Sequence, residues 1–68
     1  MQRIGQTIRL RRIHVDYTQE HIAGMIGMHR TYYSAIERGE KNLQLDTLQR
    51  ICGGLGLQLW EVIREAAA

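Results

Sequence analysis

Apolar residues recur along the chain in short stretches at helical spacing, and glycines punctuate them. Ile4 and Ile8, four apart, open a stripe on a first helix predicted over about residues 2–14. Thr18 offers its hydroxyl to the free N–H groups of the next turn, and Glu20 suits the positive end of a helix dipole. A second helix is therefore predicted after Thr18, with Ile22, Ala23 and Ile26 on its inner face and Gly27 at its end. A third runs over about residues 29–38 and stops at Gly39. Beyond the polar Glu40-Lys41-Asn42, Leu48, Ile51, Cys52 and Leu55 fall at i, i+3, i+4 and i+7, which predicts a fourth helix over about residues 45–55. Gly56 ends it. Gly53 and Gly54, in its last turn, each cost roughly 1 kcal/mol relative to alanine. Leu59, Val62 and Ile63 mark a fifth helix over about residues 59–65. Gln44 and Gln58, which precede the last two helices, are poor caps. No repeat, low-complexity stretch or linker interrupts the pattern. The expectation is a compact all-α domain of five helices over residues 1–68, with little stability in reserve.

The stretch from Gln19 to Arg38 is more constrained than amphipathicity requires. Counted from Gln19, the small Ala23 is fifth and Gly27 is ninth, while Ile22, Ile26, Met28, Tyr33 and Ile36 are fourth, eighth, tenth, fifteenth and eighteenth. Two helices crossing at ~90–120° over a short turn need a small residue at the crossing, a glycine in the turn and apolar residues at this spacing. A helix-turn-helix at the second and third helices meets all of these requirements in register.

Composition narrows the function classes. A chain of 68 residues buries only about 60% of the surface its unfolded form exposes, so self-association would add stability. Cys52 is the single cysteine. It excludes an intramolecular disulfide, fits a reducing, cytoplasmic location, and on the fourth helix's buried stripe reads as an inert core residue. The opening Met1-Gln2-Arg3-Ile4-Gly5 is not followed by an apolar run, so no secretory signal is expected, and no stretch approaches the ~20 apolar residues of a membrane helix. His14, His21 and His29 have no metal-ligand spacing with one another or with Cys52, and no metal or cofactor is expected. Met25, Met28 and Tyr17 read as packing residues. With no paired carboxylates, activated nucleophile or metal cluster, catalysis is not expected. The formal net charge is +2 and unevenly placed. Residues 1–42 carry Arg3, Arg9, Arg11, Arg12, Arg30, Arg38 and Lys41 against Asp16, Glu20, Glu37 and Glu40, while residues 43–68 carry Arg50 and Arg64 against Asp46, Glu61 and Glu65. The basic half is a candidate nucleic-acid face.

The segments Ile4-Gly5, Ile8-Arg9, Arg12, Thr18-Gln19-Glu20, Ala23, Ile36-Glu37-Arg38-Gly39 and Leu45-Asp46-Thr47-Leu48 resemble the lambdoid phage repressor and Cro (XRE-type) helix-turn-helix family, over about residues 4–64. Arg30-Thr31-Tyr32, Ser34, Ile36-Glu37-Arg38 and Asn42 are similar to restriction–modification controller proteins within it. Tyr33 departs from the usual Ile or Val, Leu43 from a common proline, and Gln44 and Gln58 from capping serines.

The resemblance implies a third helix that enters the major groove of double-stranded DNA. Arg30, Thr31, Tyr32, Ser34 and Ala35 would be its outward positions. Arg30 would pair with guanine O6 and N7, Thr31 and Ala35 would meet thymine methyls, and Tyr32 would lie on the backbone or read shape at a deformable step. Gln19 would donate to phosphate and brace the third helix. His29, Arg38, Lys41 and Asn42 would contact phosphates. Arg12 and Glu37 would form a buried structural ion pair. Trp60 has two readings: it finishes the monomer core beside Ile63, or it anchors a dimer interface with Leu57, Leu59 and Ile63, which the family favours. The implied protein is a bacterial or phage-encoded homodimer on a palindromic operator, autoregulatory as controllers are, that blocks or touches RNA polymerase. The alternative is a protein-interaction module of an antitoxin-like or bridging kind. The polar, basic outward face of the third helix favours DNA.

Overall fold

The computed structural model describes residues 2–68; Met1, the first residue of the predicted domain, lies outside them. Five helices follow one another: α1 (Gln2–His14), α2 (Gln19–Met25), α3 (Arg30–Glu37), α4 (Leu45–Leu55) and α5 (Leu59–Ala67). There is no strand among the described residues. Their apolar stripes meet in one core, with Ile8 from α1, Ile22 and Ala23 from α2, Tyr33 and Ile36 from α3, Leu48, Ile51, Cys52 and Leu55 from α4, and Val62 from α5. Ile4, Tyr17, Ile26, Met28, Leu43, Leu57 and Leu59 close over its edges. α1 packs on α3 and α5, α2 on α3 and α4, and α4 on α5.

Local chemistry sets the ends of the elements. Thr18 caps α2, its hydroxyl accepting from the His21 N–H at 3.0 Å. Gly27, at φ +67°, makes the turn into α3. α1 ends less predictably, through Asp16 at φ 63°. Asp is one of the few side chains that tolerates the left-handed region. The weak cap expected of Gln58 is compensated by Glu61, whose carboxylate accepts from the Gln58 N–H at 2.8 Å. α5 then runs two residues past the predicted end because Ala66 and Ala67 are strong helix formers.

Two close approaches position α3 and α2. A Cβ on Gly5 would lie 2.8 Å from the Glu37 carbonyl oxygen and nearer still to that of Ile36, so α1 reaches the end of α3 only because residue 5 has no side chain. A Cβ on Gly54 would lie 2.7 Å from Ile22 Cδ1 and 2.8 Å from Ile26 Cγ2. The glycine that weakens α4 is what lets α2 pack onto it.

Candidate nucleic-acid interface

Beneath the outer face of α3 lies a polar hub that ties three helices together. Arg12 on α1 donates from Nε to Glu37 Oε2 at 2.7 Å and from Nη2 to Glu37 Oε1 at 3.2 Å. Arg12 Nη1 donates to the Tyr17 carbonyl at 2.8 Å. Gln19, at the start of α2, donates from Nε2 to Glu37 Oε1 at 2.9 Å. The Arg12 and Glu37 side chains are 12% and 2% exposed, so water screens the pair little. Burial by itself would push the Glu37 carboxyl up, but the hydrogen bonds and charge of Arg12, with the nearby Tyr33 hydroxyl and the Gln19 amide, outweigh it and hold the group below its ordinary range. Tyr33 is fully buried, and its hydroxyl has no hydrogen-bond partner among the described residues. Burial drives that hydroxyl far above the ordinary phenol range.

A second tether holds the turn between α2 and α3. Arg50 on α4 donates from Nη2 to the Ile26 carbonyl at the end of α2. That carbonyl is one of those a helix end leaves without an internal partner. Met28 N–H closes the turn onto the Ala23 carbonyl at 2.9 Å. The two helices are thus fixed from α1 on one side and α4 on the other.

This frame leaves the first turn of α3 exposed. Arg30, Thr31 and Tyr32 are exposed, and Arg30 forms no ion pair among the described residues. Tyr32 is 40% exposed, with the Lys41 ammonium 5.7 Å from its ring centroid, within cation–π range. Asn42 is exposed beside Lys41. His29 is exposed and caps α3, Nδ1 accepting from the Thr31 N–H at 3.2 Å. Ser34 is half-buried, its Oγ accepting from Arg38 Nη1 at 2.7 Å. Arg38 also grips Glu40, at 3.0 Å from Nε and 3.1 Å from Nη2.

One expected contact is corrected. Ala35, assigned to the outward row with a methyl for thymine, is only 6% exposed. The chain folds back at this turn, the Glu40 N–H donating to the Ala35 carbonyl at 3.0 Å. The four residues assigned to a dimer interface divide into two pairs. Leu57 and Leu59 are half-buried against the chain's own core, whereas Trp60 and Ile63 are 60% and 47% exposed.

A helix-turn-helix family profile matches residues 8–59, from α1 into the start of α5. The chain belongs to this helix-turn-helix family. It is 41% identical over 64 residues to control protein C.MunI of Mycoplasma sp., a match covering 93% of this chain and 86% of that one. It is 42% identical over 55 residues to control protein C.BamHI of Bacillus amyloliquefaciens, covering 79% and 68%. Its fold superposes with a TM-score of 0.86 on the restriction-modification controller protein C.Esp1396I, solved as a tetramer in complex with its natural 35 base-pair operator. That match has 31% sequence identity and covers 98% of this chain and 93% of the other. The lambdoid, XRE-type resemblance and the five-helix architecture therefore stand, and the controller proteins are among the chain's relatives.

Three residues of this region carried no sequence signal for what they do. Glu40 is the carboxylate that occupies Arg38, His29 caps α3, and Arg50 ties α4 to the end of α2. Among the described residues no group of three metal-binding side chains comes together, and no helix is long and apolar enough to cross a membrane.

Proposed function

We propose that the chain is a transcriptional regulator that binds operator DNA as a homodimer, with α3 of each copy in the major groove. The observation that carries this reading is the exposed first turn of α3, Arg30, Thr31 and Tyr32, on a helix whose other end the buried Arg12–Glu37–Gln19 hub ties to α1 and α2. Arg30 is the base-reading residue, a bidentate donor to guanine O6 and N7. Thr31 and Tyr32 border it against thymine methyl and backbone. His29, Ser34, Lys41 and Asn42 set the register on phosphates, and Arg38 joins them where a phosphate displaces Glu40 from its guanidinium. Gln19 keeps one amide N–H for phosphate while the other holds Glu37. Trp60 and Ile63 supply the dimer contact, bordered by Leu57 and Leu59. The operator complex of the related C.Esp1396I supports both the DNA and the assembly.

The regulator acts in the cytoplasm, and the dimer concentration sets occupancy, which suits a protein that controls its own synthesis. RNA polymerase is excluded when the dimer covers the promoter and contacted when it sits just upstream. Arg30→Ala tests the recognition step in a binding assay against a selected site and a scrambled duplex. The expected result is a loss of about 100- to 10,000-fold in preference for the selected site, the size of two guanine contacts, one in each half-site, with binding to scrambled duplex largely kept. An unchanged preference would remove Arg30 from recognition and favour a protein-binding role for this face.

A further inference from the structure

The DNA-facing side of α3 carries an acid bound to one of its own cations. Arg38 directly follows the helix, and Glu40 lies two residues on. The Arg38 guanidinium donates from Nε to Glu40 Oε2 and from Nη2 to Glu40 Oε1, and its third nitrogen donates to Ser34 Oγ. All three nitrogens are engaged. The two side chains are 53% and 57% exposed. An exposed pair of this kind contributes little to stability. Among the described residues the other two ion pairs lie elsewhere, Arg12–Glu37 in the hub and Arg11–Glu65 between α1 and α5. Glu40 is thus the carboxylate that ties up a cation on the interface itself.

We propose that Glu40 is a built-in competitor for DNA phosphate, which withholds Arg38 from the backbone and lowers sequence-independent binding by about one contact in each copy. The proposal rests on the DNA-binding reading above. The planar fork that Arg38 offers to Glu40 is the donor set that an arginine offers to a phosphate. A phosphate must displace the carboxylate or share the guanidinium with it. Arg30, which forms no ion pair among the described residues, supplies affinity that Glu40 does not reduce, whereas Lys41, next to Glu40 in the chain, also feels its charge. Sequence-independent binding comes almost wholly from such backbone charge contacts. A chain with one contact withheld is released more readily from arbitrary duplex.

The test measures the affinity of purified full-length chain for a non-operator duplex of fixed sequence, from 50 to 200 mM salt. Four proteins are compared: wild type, Glu40→Gln, Arg38→Gln and the double variant, each checked by its melting curve. Glu40→Gln is expected to bind more tightly and to steepen the slope of log affinity against log salt by about 1.8, about 0.9 for each copy of the dimer, so that it loses roughly 12-fold more affinity than wild type across this range. In the Arg38→Gln background the same change is expected to leave the slope unaltered. Glu40→Ala should repeat the result, which guards against a defect peculiar to glutamine. Equal slopes for wild type and Glu40→Gln would overturn the proposal. So would equal steepening in both backgrounds, which would mean general repulsion rather than release of Arg38. Failure of every protein, wild type included, to bind duplex at 50 mM salt would overturn the DNA-binding reading beneath it.

Discussion

Glu37 is the buried acceptor at the centre of the hub, and its chemistry sets a stability prediction. It accepts two hydrogen bonds from Arg12 and one from Gln19 while 2% exposed. Arg12→Met would leave that carboxylate buried without its counter-charge, which costs about 3–5 kcal/mol. A domain of this length has about 3–10 kcal/mol in total. The variant should therefore melt far below wild type and be partly unfolded at 37 °C; an unchanged melting temperature would refute a structural role. The pH dependence follows from the depressed Glu37 carboxyl. A group whose pKa is lower folded than unfolded contributes its stability above the unfolded value and loses it as pH falls through the folded one. The contribution is full above the ordinary value of 4.5 and fades below it. Stability measured from pH 7 down to pH 3 should thus fall more steeply in wild type than in Glu37→Gln, and the gap between them should narrow with acid. At this scale sequence reading reached the Arg12–Glu37 pair through its resemblance to a known family. It missed the Arg38–Glu40 grip, because nothing in a local pattern says which of several exposed charges will meet.

The helix-turn-helix was legible at the level of the element because its requirements are local. A small Ala23, a turn glycine at Gly27 and apolar residues at fixed offsets follow from the crossing of two helices alone. Ala35 is buried where an outward position was expected, at the turn where the chain folds back and the Glu40 N–H reaches its carbonyl, a tertiary feature that helix phase does not carry. The paired glycines of α4 show the same division between local and tertiary causes. From sequence, Gly53 and Gly54 carry equal penalties. In the fold, a Cβ on Gly53 meets nothing within 4 Å, whereas one on Gly54 strikes Ile22 and Ile26. Gly53→Ala should raise stability by up to about 1 kcal/mol. Gly54→Ala should lower it by about 1–3 kcal/mol through overpacking. Chemical denaturation of both variants reads the difference directly, and equal shifts would contradict the packing of α2 on α4.

For the whole molecule, the decisive feature is an apolar surface at the far end of the chain from the helix-turn-helix sequence. Trp60 and Ile63 stay exposed on α5 although Leu57 and Leu59 beside them are drawn into the core. Tryptophan is enriched where interfaces concentrate their binding energy. Trp60→Glu should leave the helical circular dichroism intact and shift sedimentation to the monomer mass. Because Trp60 is the chain's one tryptophan, its emission in the wild type should move to the blue as protein concentration rises. Constant emission and mass across concentration would place any dimer contact elsewhere. The α5 end also shows what sequence could not resolve: periodicity marked Leu59, Val62 and Ile63 alike as apolar, and only the packing of α5 on α1 and α4 separates core from surface.

The central claim is that α3 reads DNA sequence from two symmetric copies. The most direct measurement is a selection of binding sites from a random duplex library with the purified chain at physiological salt. The account predicts enrichment of a palindrome whose half-sites are centred one helical turn apart, or a whole number of turns, at ~34–36 Å per turn, with a guanine in each half-site that is no longer selected by Arg30→Ala. Binding without enrichment, lost as salt rises, would contradict it and leave only electrostatic attachment to the backbone.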